Sequence, residues 1–542
     1  MPVVVIRNGT VYDGSGRPPS RTDVWIRDDS IISLGAGDQP TVDPDVEIDA
    51  TGLSVAPGFI NMLSWASESL IDDGASQSDI RQGVTLEVFG EGWSMGPLSP
   101  AMKTERLERQ SDIRYPIEWT TLSEYLDWLV HRGVSTNVAS FVGATTIRIH
   151  AVGYDDRRPT ESELRNMRAL VQQAMEEGAL GVGSSLIYAP AFYASTDELV
   201  ALCEVAALHG GMYISHIRGE GSKLLESVEE LIEVSRRARL PAEVYHLKTL
   251  GWANWGKHDQ LIALIESARS EGLHITADMY TYAASATGLD ATMPPWVQEG
   301  GHRAWVERLR NPAIRERVKV AMHQPSSDWE NNYLAAGTPD NILLVGFRSD
   351  QLKPLVGKTL AQVAQERGTT PMDAAMDLVI EDDSRVGAVY FVMSEDNVRR
   401  QIRLPWISFG SDAASLAPAR TFTRLHPHPR AYGTFARLLG RYVHDEHIIP
   451  LEEAIYRLTT LPARNLGLER RGALEPGYFA DVVVFDPDSV RDHATFDRPH
   501  QYATGVEHVL VNGQLVLHNG EHTGARAGRV VRRARRSHPA VV

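Results

Sequence analysis

The chain has 542 residues, 43% hydrophobic and 23% charged, the balance of an ordinary globular protein long enough to bury a full core. Its 54 basic against 70 acidic residues leave a net charge of −16, which argues against nucleic acid as a partner, and the short basic run from Arg529 to Arg536 reads as a tail. A single cysteine, Cys203, excludes disulfide frameworks and Cys-based zinc ribbons, so a metal site must draw on the 19 histidines and on carboxylates.

The chain opens on Met1-Pro2-Val3-Val4-Val5-Ile6, with no basic segment followed by an apolar one. No apolar run approaches the roughly 18 residues that span a bilayer, so a cytoplasmic protein with no membrane partner is expected. Residues 1–57 read as all-β: Val3 to Ile6, Val24 to Ile26 and Ile31 to Leu34 are β-branched runs, separated by turns at Asn8-Gly9 and Asp28-Asp29. The far end, residues 467–542, has the same character, with strands expected at Ala480 to Phe485, Val506 to Val511 and Gln514 to Leu517, and a hairpin turn at Asn512-Gly513. The two ends are expected to pair into one small β-sandwich domain.

Residues 58–466 alternate between helix and strand. Thr160 and Glu163 form a capping box ahead of Leu164, Met167, Leu170, Val171 and Met175, which share a helical face ending at Gly178. Gly181 to Tyr188 reads as a strand. Ser195 and Glu198 form another capping box, opening a helix to about His209, and Met212 to His216 is a strand. A helix from Ser222 to about Ala238, a strand from Ala242 to His246, a helix from Lys257 to about Ser270 and a strand from His274 to Asp278 follow. Repeats at this spacing indicate a parallel sheet, and a long unbroken series favours a (β/α)₈ TIM barrel within the α/β class over an open doubly wound sheet. The stretch near 291–351, richer in Pro, Arg and Trp, breaks the rhythm and reads as an insertion.

Parallel α/β proteins place their chemistry at the C-terminal ends of the strands. The residues falling there are Glu91, Tyr188, His216, His246, Asp278 and Asp412. Two imidazoles with carboxylates make a Zn²⁺ site that would polarise a carbonyl and acidify water, with a free carboxylate to move the proton. Spacing alone leaves a second reading open, in which the two histidines are satisfied core residues.

At this point the sequence resembles a known family. Ala56-Pro57-Gly58-Phe59-Ile60, Ile187-Tyr188-Ala189-Pro190, Ser215-His216-Ile217-Arg218-Gly219-Glu220-Gly221 and His246-Leu247-Lys248 match, in order, motifs of the D-aminoacylase (N-acyl-D-amino-acid deacylase) group of the amidohydrolase superfamily. So do Asp278-Met279-Tyr280-Thr281-Tyr282, Ser411-Asp412, His428-Pro429-Arg430-Ala431-Tyr432-Gly433, Phe479 to Phe485 and Gly520-Glu521-His522-Thr523-Gly524. The resemblance covers nearly the whole chain. It implies a (β/α)₈ barrel with a β-domain built from both ends, metal ligands at His216 and His246, and a catalytic Asp412 that activates water and later protonates the leaving amine. It also implies a carboxylate clamp at Tyr188, Lys248, Ser285 and Arg430, and cations with hydroxyl donors suit the α-carboxylate of an N-acyl amino acid.

The chain departs from the pattern twice. The superfamily's His-x-His falls on Leu63 and Trp65, neither of which offers a lone pair to a metal, so that second metal position is expected to be lost. The family's Asn-Cys-Gly stretch reads Gly90-Glu91-Gly92-Trp93, and Glu91 can replace the thiolate as an oxygen ligand. The expected site is therefore one divalent ion, zinc foremost, on Glu91, His216 and His246, with Glu87 as the competing carboxylate. Asp278 is expected to brace the site by hydrogen bonds, and Trp252, Trp255 and Trp296 to wall a pocket or pack; for Arg430 the alternative to a clamp is that its loop, with His426 and His428, closes over the site as a lid. The expected function is hydrolysis of a non-peptide C–N bond in a small N-acyl amino acid, of D configuration. The alternatives are another amidohydrolase reaction (cyclic imide, dipeptide or carbamate cleavage) and a degenerate binding protein, against which the joint presence of His216, His246, Lys248, Asp412 and Arg430 counts.

Overall fold

The computed structural model describes residues 3–35, 43–326 and 328–533, so Ala534, Arg535 and Arg536 of the basic run lie outside the described residues. β-Branched alternation builds the strands at both chain ends. Val3–Arg7 pairs antiparallel with Val24–Arg27 and parallel with Val46–Asp49. A seven-stranded sheet joins the two ends, because Val482–Phe485 pairs antiparallel with Ser54–Pro57 on one edge and with Val506–Val511 on the other. Residues two apart face the same side of a strand, and Val4, Ile6, Val24, Ile26, Val482 and Val484 accordingly meet in one buried core. The Asn512-Gly513 turn stands where the sequence places it, with positive φ at both residues.

In the middle of the chain the strands are parallel, buried and flanked by helices. Gly181–Ser185, Met212–His216, Ala242–Val244, Ile275–Met279 and Ile407–Phe409 are successive neighbours in one sheet. Phe59–Asn61, Val84–Phe89 and Asn137–Ser140 form a second parallel set. Backbone hydrogen bonds carry the pairing past the strand ends: Leu180 N donates to Ser140 O, Met62 N to Phe409 O and Asp412 N to Leu63 O. The helices Glu161–Glu176, Thr196–Leu208, Leu224–Ala238 and His258–Ser270 are the crossovers read from the sequence. Thr160 and Glu163 close a full capping box. Ser195 caps its helix, but the expected box is only half formed, because the Glu198 carboxylate turns into the interior to a buried ion pair with Arg148 at 2.6 Å.

Several strands are shorter than their sequence patterns suggest. Val84–Phe89, Gly181–Ser185, Ala242–Val244 and Ile407–Phe409 stop before Glu91, Tyr188, His246 and Asp412, which stand on the loops just beyond. The stretch read as an insertion holds the helices Gly301–Leu309 and Pro312–His323 and the strand Ile342–Gly346. That strand joins a three-stranded antiparallel sheet whose other members, Ser285–Gly288 and Gly387–Tyr390, lie outside 291–351. Among the described residues no helix is long and apolar enough to cross a membrane.

Candidate metal centre

The loops beyond the parallel strands enclose a cavity of about 380 Å³ lined by Trp65, Glu91, Tyr188, His216, His246, Lys248, Ser285, Asp412 and Arg430 among others. Every site residue expected from the sequence therefore reaches one chamber. At its floor Glu91 Oε1 lies 2.9 Å from His216 Nδ1 and 2.9 Å from His246 Nε2, and the three side chains are buried. One ligand atom from each falls within a sphere of contacts no wider than 4.8 Å. Two nitrogens and a carboxylate oxygen, converging and shielded from water, are a donor set that suits a divalent ion such as zinc. The competing carboxylate, Glu87, faces away from the imidazoles: its Oε2 accepts from Ser64 Oγ at 2.5 Å and from Asn61 Nδ2 at 3.4 Å.

The backbone is bent to make this convergence. His246 has φ 36° and Asp412 φ 49°, left-handed conformations that non-glycine residues adopt only at a cost. Asp278 braces the first of these bends, accepting from His246 N at 2.8 Å through Oδ1. Behind His246, Glu220 Oε1 stands 3.2 Å from Nδ1 and accepts from Lys248 Nζ at 2.7 Å. Lys248 Nζ is itself 2.6 Å from the same Nδ1, so Glu220 and Lys248 together hold the ring from behind and leave Nε2 turned toward Glu91. Sequence reading missed this role for Glu220, although its place four residues after His216 was the available signal.

Asp412 sits between a cation and a hydrogen-bond donor. Its Oδ2 is 2.7 Å from Arg430 Nη1, and its Oδ1 accepts from Trp65 Nε1 at 3.2 Å. Burial pushes the Asp412 carboxyl up from its ordinary value, and Arg430 and His246 hold part of that shift back. For Glu91 burial acts the same way, but His246 and His216 outweigh it and hold the carboxyl well below the carboxylate range. Burial and Lys248 depress the His246 imidazole, while Asp412, Glu91 and Glu220 reverse the balance and lift it to about 10. The floor of the cavity thus favours positive charge beside Glu91.

Arg430 opens the helix Arg430–Arg437 and packs over the Tyr280 ring at 4.5 Å. His428, read from sequence as part of a lid, lies beneath it: Nδ1 accepts from Arg430 N at 3.0 Å and Nε2 donates to Ala284 O at 3.0 Å. It is buried and seats the arginine. Lys248 is buried, Tyr188 bonds through its hydroxyl to Thr287 Oγ1 at 2.7 Å, and Ser285 Oγ is buried with no hydrogen-bond partner. None of Trp252, Trp255 and Trp296 lines the chamber. Trp252 is 73% exposed, Trp255 donates to Val392 O, and Trp296 lies under Arg317. The tryptophans that do wall the chamber are Trp65 and Trp93, which follow strands rather than lying in the Trp-rich stretch.

Residues 46–517 match the family described as "Amidohydrolase family". The chain belongs to that family. The D-aminoacylase of Alcaligenes xylosoxydans xylosoxydans is 32% identical over 534 residues, covering 98% of this chain and 97% of its own. Among solved structures, the N-acyl-D-glutamate deacylase from Bordetella bronchiseptica complexed with zinc and a phosphonate inhibitor superposes with a TM-score of 0.78 at 32% identity, over 98% of this chain and 99% of that one. A D-aminoacylase structure, described for one-metal activation and second-metal attenuation at a binuclear centre, superposes at 0.80 with 31% identity and the same coverage. This amidohydrolase is accordingly a hydrolase of carbon–nitrogen bonds other than peptide bonds.

Proposed function

We propose that this amidohydrolase is an N-acyl-D-amino-acid deacylase working with one divalent ion, zinc foremost, held by Glu91, His216 and His246. The observation that carries the reading is the convergence of Glu91 Oε1, His216 Nδ1 and His246 Nε2 beside the Asp412 carboxylate in one buried chamber. The proposal includes a closed (β/α)₈ barrel over 58–466, supported by the bonds from Met62 N to Phe409 O and from Asp412 N to Leu63 O between the first and last parallel strands. It also includes a β-domain formed by 1–57 with 467–542, supported by the sheet that both ends share, and a cytoplasmic location.

The ion supplies Lewis-acid polarisation of the amide carbonyl and a more acidic water. The remaining work falls to side chains. Asp412 takes a proton from the water as its oxygen adds to the carbonyl carbon, then returns it to the amine nitrogen as the C–N bond breaks, giving a carboxylic acid and a free amino acid. Its raised pKa suits a group that must both accept and release a proton. Arg430 and Lys248 supply charge for the α-carboxylate of the substrate, Tyr188 and Ser285 supply hydroxyls, and the unpartnered Ser285 Oγ is a buried group still lacking the bond a ligand would make. His428 seats Arg430, and Glu220 with Lys248 supports His246 from behind at Nδ1, leaving Nε2 turned toward Glu91.

The test is release of free amine from paired N-acyl-D- and N-acyl-L-amino acids by the zinc-loaded protein, with a metal count on the same sample. Deacylation confined to the D series at one ion per chain is the expected result, and a loaded protein that deacylates neither series would overturn the reading. A second expectation concerns Glu220. Glu220→Gln removes the charge behind His246 and is expected to weaken metal affinity about 10–100-fold, measured by competition with a chelating dye. Unchanged affinity would show that the carboxylate behind His246 does not support metal binding.

A further inference from the structure

We propose that Trp65 fills the place of a second cation in this centre: its indole N–H ties Glu91 to Asp412 and limits the chain to a single ion. The inference rests on the proposed one-ion site at Glu91, His216 and His246. Two carboxylates face one another there, and a single donor serves both. Trp65 Nε1 lies 2.8 Å from Glu91 Oε2 and 3.2 Å from Asp412 Oδ1. A gap between two buried carboxylates is where a bridging cation gains most, because each oxygen pair would otherwise repel the other in a poorly screened chamber. An indole nitrogen has no lone pair in the ring plane to offer, so it can donate to both acids but cannot ligate.

The backbone at this tryptophan is tied to its neighbours. Trp65 N donates to Ala413 O and Ser64 N to Val88 O, while Asp412 N donates to Leu63 O, so the segment is laced to the loops that carry the acids. Leu63, two residues earlier, is fully buried in the apolar core and offers no ligand atom either. The outer part of the Trp65 ring is open to the chamber, the side chain being 39% exposed, so the N–H points inward while the ring forms part of the wall.

Two consequences follow for the chemistry. Glu91 has one oxygen for the imidazole site and the other occupied by Trp65, which makes it a one-oxygen ligand. Asp412 is aimed by Trp65 on one oxygen and by Arg430 on the other, so Trp65 is a positioning residue for the proton transfer.

The experiment is equilibrium dialysis against excess Zn²⁺ with elemental analysis, alongside steady-state kinetics, on the full chain, Trp65→Phe, and the Leu63→His/Trp65→His double variant. The unaltered chain is expected to stop at one ion, and the double variant to take up two. Trp65→Phe keeps an aromatic side chain while losing the donor and part of the indole's volume, and is expected to lower kcat about tenfold with KM little changed. Two ions per unaltered chain would overturn the proposal while leaving the imidazole site standing. A Trp65→Phe variant matching the parent in both stoichiometry and kcat would overturn it as well. Absence of any bound ion in the unaltered chain would instead remove the one-ion reading itself, and this inference with it.

Discussion

Asp412→Asn is expected to lower kcat by about 10²–10⁴-fold, the range that a positioned general acid–base contributes, with bound metal unchanged at one ion per chain. The amide matches the carboxylate in size and can still accept from Trp65 Nε1 through its oxygen, so the left-handed bend at this residue and the wall of the chamber are retained. What it cannot do is take up a proton from water at neutral pH. The substitution has one side effect, because an amide N–H₂ turned toward Arg430 would face a guanidinium that now pairs with Oδ2 at 2.7 Å. Arg430 is assigned to the substrate carboxylate, so its disturbance should register in KM, whereas loss of the base should register in kcat. Separate measurement of the two constants, with atomic absorption for the metal, therefore divides the causes. Turnover equal to that of the parent would exclude Asp412 as the proton carrier.

Legibility from the sequence differed by the kind of interaction involved. The helices and strands of the parallel region follow local rules, and Thr160 with Glu163, or the apolar spacing of Met167, Val171 and Met175, locates them within a residue or two. The convergence of Glu91, His216 and His246 was also legible, because parallel strands deliver their C-terminal ends to one side whatever the intervening loops do. Less accessible were features set by pairing across long sequence distances. Glu198 looks like the second half of a capping box until Arg148, 50 residues earlier, claims its carboxylate. The strand Ser285–Gly288 goes unread, because its partner strand, Gly387–Tyr390, lies about a hundred residues away. The support behind the site was hidden for the same reason: Glu220 facing His246, and His428 under Arg430, are ordinary polar residues until the fold brings them together. Trp65 shows the limit most clearly. In sequence it registers as a ligand lost, and only the placement of its N–H between two acids gives it a role.

The two acidic residues that follow the same strand pattern, Glu87 and Glu91, should respond in opposite ways to the same substitution. Glu91→Gln is expected to weaken metal binding by more than about 100-fold, beyond what loss of a supporting residue does, because the neutral amide oxygen replaces the only charged ligand. It also leaves His216 and His246 without the carboxylate toward which both rings are turned. Glu87→Gln is expected to leave metal affinity where it was. Burial, reinforced by Asp79, drives the Glu87 carboxyl well above its ordinary value, and glutamine reproduces its size without a charge. The amide oxygen can keep the bonds from Ser64 and Asn61. Its N–H₂ would occupy the side where Glu87 Oε1 now has no hydrogen-bond partner, so any cost should appear as a shift in melting temperature and not in metal affinity. Dye competition on the two variants decides between the carboxylates. If Glu87→Gln released the ion and Glu91→Gln held it, the ion would lie deeper, at the level of the strand Val84–Phe89 among Asn61, Asp79 and Glu87, and the geometry of the imidazole pair would need a different explanation.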